Sequence, residues 1–273
     1  MDNCFYSSKK HCNFSQQKVT TLFHFSFMSK LSAISTRAPE KLSKDIVKKD
    51  TTKLLEEINA LQKILFAQKK YSLLIVLQGL DASGKDGLVS KVFSGFNPLG
   101  IDITAFKAPS EEERAHDFLW RVHQHVPAKG NIMIFNRSHY EDVLVPRVEK
   151  WINQAQVKKR YDYINLFEQL LLEENNTITL KFYLHISKEE QLERLKERQT
   201  NPEKYWKHSD GDAETRKKWD EYMKAYEGVF SNCNIIPWTI VPSDQNWYKE
   251  YVVAKAILIA LRKLPLEYPK LAK

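Results

Sequence analysis

The chain has 273 residues and a net charge of +8, and 42% of its residues are hydrophobic. This length suits one large α/β domain or two small ones. The basic charge indicates an anionic partner, such as a nucleic acid, a membrane surface or a phosphate-rich small molecule, or simply a mildly basic soluble enzyme. Three cysteines with no metal-site spacing exclude a disulfide framework, and no apolar run approaches the roughly 18 residues of a membrane span, so we expect a cytoplasmic protein.

The first 27 residues differ from the rest of the chain in composition. They are rich in Ser, Asn, Gln, Lys and Phe, and their most apolar part, Val19 to Phe27, is too polar for a secretory signal. Met28 then begins a stretch that reads like an ordinary start. We expect residues 1–27 to be a disordered or non-native extension and residues 28–273 to form the folded domain.

The first predicted element is a helix over residues 51–70, where leucine and isoleucine recur at helical spacing. Strand and helix patterns alternate from there. The predicted strands cover residues 72–79, 102–109, 131–137, 177–187 and 238–243. The predicted helices cover residues 87–96, 110–125, 140–145, 161–174, 188–199 and 247–264. Ser110 and Glu113 form a capping box for the second of these helices. The alternation predicts an α/β fold, with a five-stranded parallel sheet flanked by helices.

The stretch "LQGLDASGKDG" joins the first strand to the next helix. It has the frame of a phosphate-binding loop, G-x-x-x-x-G-K, with Gly79, Gly84 and Lys85 in place. Backbone N–H groups and the helix N-terminus favour an anion there, and Lys85 can reach outer phosphates. We therefore predict that phosphate is bound by these three residues together with Asp86 and Gly87.

Two carboxylates distinguish this loop from the common pattern. Asp86 stands where Ser or Thr usually binds Mg²⁺, and Asp81 lies inside the loop. Both would repel phosphate unless a cation lay between them, and Mg²⁺ binds carboxylate and phosphate oxygens together. The pattern therefore predicts a magnesium-dependent site. Asp81 has an alternative role, because aspartate is also a common turn residue.

A second motif, "IFNRSHYEDVLVPRV", follows the third predicted strand. Asn136 and Arg137 end that strand at the carboxyl edge of the sheet, where ligands bind in such folds. Glu141 and Asp142 follow within one helical turn, and either of them can hold Mg²⁺ or activate an acceptor phosphate. Both also suit a helix N-terminus for purely structural reasons. Lys107 ends the second strand at the same edge, and both Lys107 and Asn136 are further candidates for phosphate contact.

The charged helix after the fourth strand places Arg194 and Arg198 on one face. It begins a basic segment, residues 188–220, which suits a helical lid that closes over phosphates and excludes water. We expect both arginines to be largely exposed in the open state. The alternative is a solvated helix with Glu–Arg pairs. The aromatic residues of this segment are expected to pack inside it: Tyr205, Trp206 and Trp219.

Taken together, "GLDASGKDG", "FKAPS", "FNRSHYEDVLVPRV" and "ERLKER…YWKHSDGD" resemble the polyphosphate kinase 2 family, from about residue 40 to 270. These are P-loop kinases that move phosphoryl groups between inorganic polyphosphate and nucleotides. The resemblance implies a P-loop kinase core, Mg²⁺ held by Asp81 and Asp142, lid residues Arg194 and Arg198, and a homo-oligomer. It implies four catalytic residues: Asp81, Lys85, Arg137 and Asp142.

The run "NRSHYEDVLV" is similar to the branch of that family that acts on nucleoside monophosphates, so AMP or ADP is the expected acceptor. Two alternatives stay open. The fold and loop also allow an ATP-using nucleoside-monophosphate kinase, although Ser or Thr at position 86 would favour it more. A non-catalytic nucleotide-binding module is the other alternative, and the acidic and basic residues at the sheet edge count against it. Neither a nucleic acid nor a membrane is expected as a partner.

Overall fold

The computed structural model describes residues 30–209 and 211–271, so the expectation for residues 1–27 lies outside the described part of the chain. Five strands form one sheet: β1 (Ser72–Gln78), β2 (Ile101–Ala105), β3 (Ile132–Asn136), β4 (Thr177–His185) and β5 (Trp238–Pro242). Every strand pair is parallel and the order is β2-β3-β1-β4-β5. The predicted five-stranded parallel sheet is confirmed.

Helices cover both faces of the sheet and connect its strands. They are α1 (Lys44–Gln68), α2 (Lys85–Val92), α3 (Glu111–Ala115), α4 (Trp120–His123), α5 (Glu141–Val148), α6 (Gln154–Asn175), α7 (Lys188–Thr200), α8 (Gly211–Lys217), α9 (Trp219–Asn232) and α10 (Asn246–Arg262). Among the described residues, no helix combines the length and the apolar character needed to cross a lipid bilayer.

Strand β1 lies at the centre and all seven of its residues are buried. Its side chains alternate between the two faces of the sheet, as the geometry of a strand requires. Leu74 and Val76 join a core with α5, α6 and α9. Leu73, Ile75 and Leu77 join a second core with α1, α2 and α10. Burial on both faces explains why β1 is a continuous apolar run rather than an alternating one.

The helix predicted over residues 110–125 is interrupted. The capping box of Ser110 and Glu113 is present, but α3 ends at Ala115 and a separate short helix, α4, begins at Trp120. Asp117 lies between them, and its side-chain oxygen accepts a hydrogen bond from Leu119 N at 2.9 Å. Aspartate side chains compete in this way with the helical hydrogen-bond ladder, which accounts for the interruption.

A buried polar network underlies the start of α5. The Lys181 ammonium donates to Glu168 Oε2 at 2.7 Å and to Tyr140 Oη at 2.8 Å. Tyr140 in turn donates to Glu168 Oε1 at 2.7 Å, and His139 Nε2 lies 3.4 Å from that same oxygen. His139 is thus a core residue. Burial alone would raise the pKa of Glu168, but Lys181 and the His139 hydrogen bond outweigh it, so the pKa lies below its ordinary value.

We expect Lys181→Met to lower the free energy of unfolding by about 3–5 kcal/mol, because it leaves the Glu168 carboxylate buried without its charge partner. Denaturant titration measures the loss. Lys188→Met is the matched control: Lys188 pairs with Asp220 at 3.1 Å on the surface, and such pairs are worth about 0–1 kcal/mol. Equal losses in the two variants would show that the buried pair has no special role.

Candidate active site

The site lies at the carboxyl edge of the sheet. β1 pairs with β3 so that Leu77 faces Asn136, and with β4 so that Gln78 faces Tyr183. The segments after these strands therefore leave the sheet side by side. The phosphate loop, residues 79–84, follows β1, and Arg137 follows β3, which brings the two sequence motifs together as predicted.

The phosphate loop has the backbone of an anion cradle. Gly84 has a φ of 92°, which favours glycine, and a Cβ on Gly79 would lie 2.9 Å from Leu184 O. Within the described part of the chain, five of its N–H groups donate no hydrogen bond to protein: Gly79, Leu80, Asp81, Ala82 and Gly84. The loop ends at the N-terminus of α2. Free N–H groups and a helix N-terminus together suit a phosphate group.

Lys85 is buried at the first position of α2. Its ammonium donates to Gly79 O at 2.7 Å and to Leu80 O at 3.1 Å, so it folds back over the loop. Burial and the nearby Arg137 lower the pKa of Lys85 to about 8, against the opposing effect of Asp81 and other carboxylates. Lys85 therefore remains mostly cationic at pH 7, next to the predicted phosphate position.

Arg137 is the centre of the charged cluster. It has a φ of 62°, an uncommon conformation for a residue with a side chain. Its guanidinium donates to Asp81 Oδ1 and lies 3.4 Å from Glu141 Oε2. Burial would lower the pKa of Arg137, but Glu141 and Asp81 outweigh it and the pKa is raised. One guanidinium thus holds two carboxylates at the mouth of the loop.

Glu141 and Asp142 are neighbours in sequence but face different partners. Glu141 contacts Arg137, whereas Asp142 Oδ2 accepts a hydrogen bond from Arg121 at 2.8 Å. Burial raises the pKa of both carboxyl groups, opposed mainly by Arg137 for Glu141 and by Arg121 for Asp142. The structure therefore groups Glu141 with Asp81, while Asp142, the residue implied by the family resemblance, pairs with Arg121.

Asp86 links α2 to two other parts of the site. Its Oδ1 accepts a hydrogen bond from Asn136 at 2.8 Å, and its Oδ2 lies 3.4 Å from the Lys207 ammonium. Burial would raise the pKa of Asp86, but these two partners lower it. Lys107 is exposed beyond the end of β2, and open space surrounds Gly87. In this conformation neither residue contacts Arg137, Asp81 or Glu141.

The expectation of largely exposed lid arginines is wrong. The Arg194 and Arg198 side chains are only 16% and 17% exposed. Arg194 donates to Ala82 O at 3.1 Å and Ser243 O at 2.8 Å, and Arg198 donates to Asp212 at 2.8 Å. Both guanidiniums are bound within the protein. Of the three aromatic residues predicted to pack there, Trp219 is buried, whereas Tyr205 and Trp206 are exposed.

The residues present fit Mg²⁺. Among the described residues, no group of three or more His, Cys, Asp or Glu side chains forms a metal cluster. Mg²⁺ does not require one, because it is usually held by one or two carboxylates together with substrate phosphates. Asp81, within the loop, and Glu141 would supply that pair, and the buried Ser83 hydroxyl of the loop has no hydrogen-bond partner among the described residues. Asp142 pairs with Arg121 and not with Arg137.

Sequence reasoning missed two residues whose side chains contact backbone carbonyl oxygens of the loop. Gln191 Nε2 donates to Asp81 O at 3.0 Å, and the Lys249 ammonium lies 3.2 Å from Gly84 O. Lys249 carried a readable signal, because it precedes Val252 and Val253 by three and four positions on the apolar face of the last helix. A charged residue on the apolar face of a helix is usually buried only when it has a polar or charged partner.

Residues 41–267 match the family model described as Polyphosphate kinase 2. The chain belongs to the polyphosphate kinase 2 family. It is 47% identical over 219 residues to an AMP/ADP-polyphosphate phosphotransferase of Meiothermus ruber, covering 80% of this chain and 82% of that protein. It is 40% identical over 230 residues to an ADP-polyphosphate phosphotransferase of Rhodopseudomonas palustris, covering 79% of each.

A crystal structure of polyphosphate kinase 2 from Arthrobacter aurescens TC1 has the same fold. It matches with a TM-score of 0.88 and 39% identity, over 91% of this chain and 90% of that one. The expected polyphosphate kinase 2 family and its P-loop kinase fold are therefore confirmed.

We expect Lys85→Met to lower kcat by about 10²–10³-fold while the fold stays intact, because phosphoryl transfer depends on charges held near the phosphates. Steady-state kinetics and circular dichroism on the same preparation measure the two effects. Lys91→Met, on the same helix, is the control. Near-normal turnover in Lys85→Met would remove this lysine from the site.

Glu141→Gln is expected to lower kcat more than Asp142→Asn and to raise the Mg²⁺ concentration needed for half-maximal rate. The reason is that Glu141 shares Arg137 with Asp81, whereas Asp142 pairs with Arg121. A magnesium titration of each variant tests this. If Asp142→Asn shifted the Mg²⁺ requirement and Glu141→Gln did not, Asp142 would be the ligand, as the resemblance implies.

Proposed function

We propose that this protein catalyses Mg²⁺-dependent, reversible phosphoryl transfer between inorganic polyphosphate and nucleotides, converting AMP to ADP and ADP to ATP. One observation carries the proposal: a phosphate loop with five free N–H groups contains Asp81, which shares Arg137 with Glu141. The names of the two curated relatives support AMP and ADP as acceptors and polyphosphate as the donor.

The free N–H groups of the loop bind phosphate oxygens and fix the position of one substrate. Lys85 exchanges its contacts with Gly79 O and Leu80 O for phosphate oxygens, where its charge offsets the charge that develops during transfer. Asp81 and Glu141 would hold Mg²⁺, which would supply positive charge to offset the negative charge of the phosphates. Arg137 keeps the two carboxylates together and offers a planar donor to the transferred group.

The charge balance of the site suits two polyanionic substrates. Lys85 and Arg137 lie at the loop, Lys207 reaches Asp86, and Lys107 is exposed at the same edge. Polyphosphate carries a negative charge on every unit, so these cations and Mg²⁺ offset the repulsion between donor and acceptor. Steering of a long anion by a net charge of +8 also makes association sensitive to salt.

We also propose a cytoplasmic location and a homo-oligomeric state. The location is supported by Cys233, which is a buried free thiol, as is usual in a reducing compartment. The oligomeric state follows only from the family resemblance.

The test is product formation by purified protein with AMP or ADP, Mg²⁺ and polyphosphate, with no ATP added. We expect ADP and ATP to appear, and the rate to fall as ionic strength rises. Omission of polyphosphate and omission of Mg²⁺ are the controls. Product with ATP as sole donor, and none with polyphosphate of any length, would identify an ordinary nucleoside-monophosphate kinase instead.

A further inference from the structure

All the backbone carbonyls of the phosphate loop are engaged by side-chain donors from elsewhere. Lys85 donates to the first two, Gly79 O and Leu80 O. The other carbonyls are reached from the two helices that follow β4 and β5. Gln191 and Arg194 of α7 donate to Asp81 O and Ala82 O, and Lys249 of α10 donates to Ser83 O and Gly84 O.

These contacts determine which way the N–H groups of the loop point. A trans peptide unit is planar, so its C=O and the N–H of the next residue lie on opposite sides. Fixing Asp81 O therefore fixes the N–H of Ala82, and fixing Ser83 O fixes that of Gly84. Both N–H groups are among those that donate to no protein atom within the described residues. The donors behind the loop thus hold its free N–H groups on the opposite side.

Burying the Lys249 ammonium beneath the loop is unfavourable, because it removes a charged group from water. Lys249 is 1% exposed, and its ammonium lies 3.3 Å from Ser83 O, 3.2 Å from Gly84 O and 2.9 Å from Asn246 Oδ1. Burial, followed by the neighbouring charge of Arg194, lowers its pKa to about 7. Among the described residues, its ammonium forms hydrogen bonds with two backbone oxygens of the loop and with Asn246 of its own helix. If Lys249 served packing alone, an apolar side chain of similar volume would fill the same space without the free-energy cost of burying an ammonium group.

We propose that Lys249, together with Gln191 and Arg194, is a positioning residue that presets the phosphate loop for anion binding by holding its carbonyls away from the substrate. The proposal rests on the proposed function only in assigning the anion to polyphosphate or a nucleotide. The geometry itself concerns any phosphate chain bound by the loop. Neither Lys249 nor Gln191 touches the reacting atoms; they act through the peptide units.

The experiment uses Lys249→Met, which removes the donors at nearly constant volume, and Gln191→Leu, which removes the donor to Asp81 O. Lys255→Met is the control, because Lys255 lies on the same helix and contacts Tyr251 rather than the loop. Calorimetric titration with inorganic tripolyphosphate and Mg²⁺ measures anion affinity without any reaction. Polyphosphate-dependent kinetics give KM and kcat, and circular dichroism reports the folded fraction.

We expect Lys249→Met and Gln191→Leu each to weaken tripolyphosphate binding by about tenfold or more, which corresponds to about 1.4 kcal/mol. KM for polyphosphate should rise in parallel, and Lys255→Met should match the wild type. If Lys249→Met fails to fold, Gln191→Leu decides the question. Full tripolyphosphate affinity in the folded variants would overturn the proposal. Wild-type protein that binds tripolyphosphate but forms no product would defeat the proposed function and leave the positioning role intact.

Discussion

The parallel pairing of β1 with β3 on one side and β4 on the other is the constraint on which the rest of the structure depends. Because β1 is central and buried on both faces, its apolar run is determined by the two cores together. The same pairing makes the segments after β1 and β3 leave the sheet at one edge. The phosphate loop and Arg137 are neighbours for that reason, although they are more than fifty positions apart in sequence.

Electrostatic compensation is the second organising feature. The site gathers several partly or fully buried carboxylates that would be unfavourable alone, and it pairs them with Arg137 and Arg121. The buried network of Lys181, Glu168 and Tyr140 holds the start of α5 in place next to these charged residues. Tyr140 directly precedes Glu141, so anchoring the tyrosine ring fixes the start of α5 and with it the direction of the two following carboxylates.

The sequence predicted what depends on local pattern. The strands were recognisable as apolar runs, and the loop was recognisable from Gly79, Gly84 and Lys85. Helix α6 begins at Gln154, earlier than predicted, although its capping box of Asn153 and Gln156 was present in the sequence. The interruption at Asp117 was missed because helical periodicity continued through a residue that prefers to bond its own backbone.

Other features were beyond local pattern because they depend on distant partners. Whether Glu141 or Asp142 faces the loop is decided by Arg137 and by Arg121, which is 21 positions away from Asp142. The low exposure of Arg194 follows from acceptors at Ala82 and Ser243, on two different connections. No spacing rule within α7 or α10 shows that these helices reach the back of the loop.

The resting position of Lys85 has a thermodynamic consequence. Its ammonium already makes hydrogen bonds of 2.7 and 3.1 Å to loop carbonyls, so binding a phosphate exchanges one set of strong contacts for another. The enthalpy gained at this residue is therefore the difference between two similar terms. The affinity for phosphate that Lys85 adds is therefore smaller than its number of phosphate contacts would indicate, because each contact replaces one that the free loop already makes.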